Sequence, residues 1–186
     1  PGMRAELARA VPGAAVLAGR AEQIPLEDRS VDLVCVGPAF HWFDPQQALE
    51  EIVRVLVPAG SLALCWNLWD LSDDTQATLD AIVAPLETGR IRHLTTGNHP
   101  YGSWSDALAD DARLTPVGRA RFPHTVELDA TQAAERVASM SQVQSATPDA
   151  RAAAIAATGE LVRQMPGGRG SFRYQTEIDV WRRISC

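Results

Sequence analysis

Apolar and polar positions change period several times along the 186-residue chain, and each change predicts an element. Met3, Leu7 and Val11 fall four apart, which predicts a helix over residues 3–11 closed by Pro12-Gly13. Ala14–Ala18, Val31–Val36 and Ser61–Trp66 are short apolar runs, the first two stopped by glycine, and read as strands buried on both faces. Between the second and third runs, Ala48, Leu49, Ile52, Val53, Leu56 and Val57 make an apolar stripe at helical spacing. Asp44 suits the N-cap, Pro45 the first helical position and Gln47 the capping-box position, while Pro58 and Gly60 end the helix. Glu50 and Arg54, four apart, are expected to pair on its polar side. Residues 30–67 are therefore a βαβ unit, and the loop Gly37–Asp44 leaves the carboxyl end of a strand, where open α/β sheets bind ligands. Ahead of it, the polar loop Arg20–Arg29 tucks Ile24 and Leu26 inward.

Further along, Ser72-Asp73-Asp74 starts a helix with Leu79, Ile82, Val83 and Leu86 on one face, closed by Gly89. Residues 88–105 read as loop, carrying His93, His99, Tyr101 and Trp104, and 105–111 as a short helix. Arg113–Leu128 reads as one bent strand broken near Pro123. Asp129 caps the next helix with Gln132 at the capping-box position, and Thr147-Pro148 opens an alanine-rich helix ending near Met165. The closing FRYQTEIDVWRRI alternates: Phe172, Tyr174, Thr176, Ile178 and Val180 lie on one face, and Arg173, Gln175, Glu177, Asp179 and Trp181 on the other. That period of two marks a half-buried strand, most naturally antiparallel. The expected architecture is a three-layer α/β sandwich of one domain over residues 1–186, with parallel strands joined by right-handed helical crossovers.

Composition narrows the function classes. A net charge of −6 argues against general nucleic-acid binding and against attraction to anionic membranes. All 17 basic residues are arginine and none clusters into a patch. Cys35, Cys65 and Cys186 form no CxxC pair or framework, which suits a reducing cytoplasm. No apolar run reaches the roughly 18 residues of a membrane span, and PGMRAEL has none of the three regions of a signal peptide.

Candidate chemistry is sparse. His41, His93, His99 and His124 have no metal-ligand spacing, and no GxSxG elbow, P-loop or GxGxxG is present. Asp73-Asp74 opens a helix, where negative charge is expected anyway. The loop GPAFHWFD is richer: Phe40, Trp42 and Phe43 with His41 can wall a pocket for a flat ring, although Phe40 and Phe43, the latter above all, also suit stapling the helix to the sheet. Trp66-Asn67 leaves the next strand end, where Trp66 reads equally as core.

These residues carry a resemblance. AGRAEQIPLEDRSVDLVCVGPAFHWFDPQQALEEIVRVLVPAGSLALCWN, residues 18–67, resembles the middle of a class I S-adenosylmethionine-dependent methyltransferase of the small-molecule type. FRYQTEIDVWRR is similar to that family's final antiparallel strand. The resemblance implies a Rossmann-like, mostly parallel sheet and S-adenosylmethionine as cofactor. It implies that Arg20, Ala21 and Glu22 sit beside the adenine, although the family often has an acid where this chain has Arg20. Gly37, Pro38, Ala39 and Phe40 would line the cofactor, and His41 and Trp42 would face it or the substrate entrance. Asn67 and Trp69 would look toward a small-molecule substrate, with His41 the first choice for a base and His99 the second. Methyl transfer needs chiefly orientation and exclusion of water, so a strict catalytic set is not required.

The family's opening strand with its glycine-rich turn and its second strand are absent here. With the family's strand order 3-2-1-4-5-7-6, a gap of roughly 14 Å would separate Ala14–Ala18 from Val31–Val36, leaving two unpaired edges. The expectation is a shortened reading frame with impaired activity, or a chain that borrows strands from a partner or a second copy through its exposed edge. Two rivals stand beside the enzyme: a non-catalytic remnant that binds a partner, and a dehydrogenase-like nucleotide-binding protein without its fingerprint.

Overall fold

A computed structural model describes residues 2–86 and 107–185. The strands order as β1-β2-β4-β3, where β1 is Val31–Val36, β2 Leu56–Trp69, β3 Leu114–Asp129 and β4 Arg169–Arg183. The chain divides into two compact units, one of residues 1–64, 103–118 and 180–186 and one of residues 65–102 and 119–179.

In the first unit, α1 (Gly2–Ala10) has no buried residue. The strand expected at Ala14–Ala18 does not form; the nearest pairing is an isolated bridge between Arg20 and Gln23. A strand exists only through ladder bonds to a neighbour, and no strand among the described residues lies beside this run. β1 pairs with β2 in parallel, Leu33 opposite Ser61 through Val36 opposite Leu64. The expectation that β1 is buried on both faces also fails. Only Val36 is buried and Leu33 is 52% exposed, because β1 ends the strand order and has one neighbour.

The helix α2 (Pro45–Val55) starts as expected, with Asp44 Oδ1 accepting the Gln47 N–H at 3.1 Å. It stops before Leu56 and Val57, which continue as strand. The residue before Pro58 disfavours helix, and the last carbonyls turn to new donors: Arg29 N–H reaches Arg54 O at 2.9 Å and Ser30 N–H reaches Val55 O at 2.8 Å. Gly60 follows from close approach, since a Cβ there would lie 2.9 Å from Val57 O and 3.1 Å from Asp32 O. Ala48, Leu49, Ile52, Val53, Leu62 and Leu64 make the core of this unit.

In the second unit, Asn67 meets Thr176 and Asp70 meets Arg173, so β4 runs antiparallel to β2. Arg119 meets Asp179 and Arg121 meets Glu177, so it also runs antiparallel to β3. β4 is therefore the one antiparallel strand of a mostly parallel sheet. The core joins Leu79 and Val83 of α3 (Asp74–Val83), Ala133 and Val137 of α4 (Ala130–Ala138), and Val143 of α5 (Ser141–Ser145). Val162 of α6 (Pro148–Arg163) and Phe172 and Tyr174 of β4 complete it. The capping box at Asp129 and Gln132 forms as expected, as does the Thr147 cap. β3 runs unbroken through Pro123 because it lies at the other end of the strand order, where a missing N–H costs no ladder bond. The polar face expected on β4 is corrected at two positions. Glu177 and Asp179 are buried, because β4 has neighbours on both sides and β3 lays Arg119 and Arg121 across their carboxylates.

Candidate functional site

The loop between β1 and α2 is built on Phe40, which is fully buried and meets Phe43 with ring centroids 5.5 Å apart. The buried anchor is thus Phe40, with Phe43 only partly covered. Residues 40–42 turn as a single 3-10 helix, and Ala39 N–H closes back on Gly37 O at 2.6 Å. His41 and Trp42 lie against each other, ring centroids 4.7 Å apart, with the indole 49% exposed. Burial pushes the His41 imidazole below its ordinary pKa, so it is neutral at pH 7. The missing side chain of Gly37 faces open space.

The loop of residues 19–28 lies in the same unit. Arg20 and Gln23 exchange backbone bonds of 3.3 and 3.1 Å, and the N–H of Ala21 at the turn's tip has no partner among the described residues. Glu22 Oε1 accepts the N–H of Asp44 at 3.1 Å, which ties this turn to the end of the aromatic loop. Of the proposed cofactor residues, the structure therefore ties Glu22 to Asp44, two residues beyond Trp42. A groove of about 560 Å³ runs beside the turn, lined by Gly19, Arg20, Gln23, Pro25, Glu51 and Arg54 among others, a size within the small-molecule range. Gly19 is required here, since a Cβ would lie 2.5 Å from Pro25 Cδ.

Asn67 and Trp69 belong to the other unit. Asn67 Oδ1 accepts the Thr176 hydroxyl at 2.6 Å, and Trp69 packs against the core, while Trp66 is itself core. His99, with His93, Tyr101 and Trp104, lies outside the described residues. Asp73 caps α3 through Gln76 N–H and stands 3.5 Å from Arg173, which supports its structural reading. No metal-binding cluster occurs among the described residues, and no helix there is long and apolar enough to cross a membrane.

Sequence reasoning missed two constellations. Arg54 pairs with Glu51 and Asp28, not with Glu50, because the guanidinium reaches toward the loop rather than along the helix. Arg119, Arg121, Glu177 and Asp179 form cross-strand pairs, whose signal was the matched two-residue spacing of Arg-x-Arg and Glu-x-Asp.

Comparison with known proteins gives this geometry a context. Residues 1–64 match the sequence model of the family described as "Methyltransferase domain". An uncharacterized methyltransferase of Mycobacterium tuberculosis is 50% identical over 70 residues, 38% of this chain and 29% of the relative. An uncharacterized methyltransferase-like protein of Schizosaccharomyces pombe is 49% identical over 92 residues, 50% of this chain and 34% of the relative. The chain thus spans about a third or less of the length of these curated relatives. A crystal structure from Bacillus halodurans described as a methyltransferase superposes with a TM-score of 0.53 at 18% identity, covering 97% of this chain and 78% of that one. Another from Anaeromyxobacter dehalogenans, described as a type II methyltransferase, gives 0.60 at 18% identity, covering 92% and 70%. Residues 1–64 are thus similar in sequence to the methyltransferase-domain family, and the chain has the Rossmann-like fold of the methyltransferase structures on which it superposes.

Proposed function

We propose that the chain takes part in S-adenosylmethionine-dependent methyl transfer to a small-molecule acceptor. The observation that carries this reading is the junction of two loops in one unit, with Glu22 bonded to Asp44 beside the aromatic turn at the carboxyl end of β1. The donor set fits an adenine. The Ala21 N–H is unpartnered, and Trp42 presents a half-exposed aromatic face. In this reading Arg20, Ala21 and Glu22 border the base, Gly37, Pro38, Ala39 and the Phe40 backbone line it, and Trp42 covers it. When bound, the cofactor supplies the electrophilic methyl group. In this reading His41, whose pKa burial lowers, is the residue that accepts a proton from the acceptor. Asn67, Trp69 and His99 are assigned to the substrate side, with the Asn67 oxygen already engaged by Thr176.

The described residues contribute the adenine side of such a site. Isothermal titration should therefore find 5′-methylthioadenosine and S-adenosylhomocysteine binding within about tenfold of each other, since the homocysteine tail adds few contacts. No saturable binding of either ligand at millimolar concentration refutes the cofactor reading.

A second reading has its own observation. α1 has no buried residue and β1 leaves Leu33 exposed at a sheet edge, which suits a binding module that engages a partner strand or a second copy.

A further inference from the structure

The turn that borders the proposed adenine site has no strand of its own behind it, because Ala14–Ala18 is unpaired. It is ordered instead from α2. Arg54 Nη1 donates to Leu26 O and to Asp28 Oδ1, both at 2.8 Å, and Nη2 donates to Ile24 O at 2.8 Å. Its Nε and Nη2 also bond the two Glu51 oxygens at 2.7 and 2.8 Å, so all five guanidinium N–H groups are used. Glu51 Oε2 in turn accepts the Ile24 N–H at 2.8 Å. The backbone N–H and C=O of Ile24 are thus both bonded by one ion pair on α2, much as a neighbouring strand would bond them. These partners lower the Glu51 pKa from its ordinary value, with the Arg54 hydrogen bond the largest cause. The pair also forms one wall of the groove beside Gly19 and Arg20.

We propose that Glu51 and Arg54 are positioning residues for the ligand turn: they replace the missing ladder and set the placement of Ala21 and Glu22. This rests on the reading that the turn borders the adenine. A lone surface ion pair would do little, but a planar fork spanning two carbonyls and two carboxylates fixes a loop in a way a lysine ammonium cannot.

The test compares wild type with Arg54→Gln, Arg54→Lys and Glu51→Gln by amide hydrogen exchange over residues 20–28 and by 5′-methylthioadenosine titration. Arg54→Gln should speed exchange at the bonded Ile24 and Leu26 amides at least tenfold and weaken the ligand by a similar factor, and Arg54→Lys should not restore either. Glu51→Gln, which keeps an acceptor for Ile24 N–H, should stay close to wild type at that amide. Unchanged exchange in Arg54→Gln overturns the clamp whatever the ligand does. Faster exchange with unchanged affinity overturns the positioning role alone. A wild type that binds no ligand refutes the cofactor reading and the positioning role with it, while the exchange still reports on the clamp.

Discussion

At the scale of single residues, burial decides more than residue type. Glu177 is 0% exposed, bonded by Arg121 at 2.6 Å with Arg119 at 3.6 Å, and both guanidiniums are half exposed. Arg121→Met should cost about 1–3 kcal/mol in urea denaturation, below the range for removing one partner of a fully buried pair because Arg119 remains and water reaches both arginines. Gln76 points the other way. It is fully buried and neither amide atom has a partner among the described residues. Gln76→Leu, which removes the unpaired groups at similar volume, should raise stability by about 1–2 kcal/mol; a loss on the same measurement would show that the amide is bonded. Phe40→Ala should cost about 3–5 kcal/mol, since the whole ring is buried and the loop has no other anchor of that size. None of these environments was legible from composition. Glu177 alternates with apolar residues as a solvent-facing side chain does, and only the arginines of β3 make it interior.

Elements were read well where their signals are local. The caps at Asp44, Asp73, Asp129 and Thr147 all form, because a side chain that bonds a backbone N–H three residues on needs nothing from the rest of the chain. Asp129→Ala should lower stability by about 1 kcal/mol, seen as a lower Tm, since the carboxylate that accepts the Gln132 N–H is lost while the backbone N–H of residue 129 keeps its bond to Gln132. Strands were read less well, because a strand is a statement about its neighbours. Ala14–Ala18 and Val31–Val36 carry the same apolar pattern, yet only the second has a partner, in β2. The same logic spares β3 a break at Pro123, since an end strand can lack an N–H on its open side.

For the molecule as a whole, two linked properties follow. Burial depresses the His41 pKa below its ordinary 6.5, so below that pH the unfolded chain binds the proton first. Stability should therefore be full above pH 6.5 and fall as the solution is acidified through the lower folded value, and His41→Phe should flatten that limb of the profile. The exposed β1 edge should favour association: light scattering of concentrated protein should show species heavier than 20.1 kDa that Leu33→Lys removes, whereas a monomer at every concentration would rule out the second-copy form of the binding reading. By itself the sequence determined the βαβ unit, the helix starts, the antiparallel closing strand and the family resemblance over residues 18–67, because periodicity, caps and short motifs act over a few residues. Tertiary structure alone decided which apolar runs become strands, which acids are buried, and that the loop around Ile24 is held from α2 by Glu51 and Arg54. Those outcomes depend on groups about thirty to sixty positions apart, and no local pattern records which distant donor will meet which acceptor.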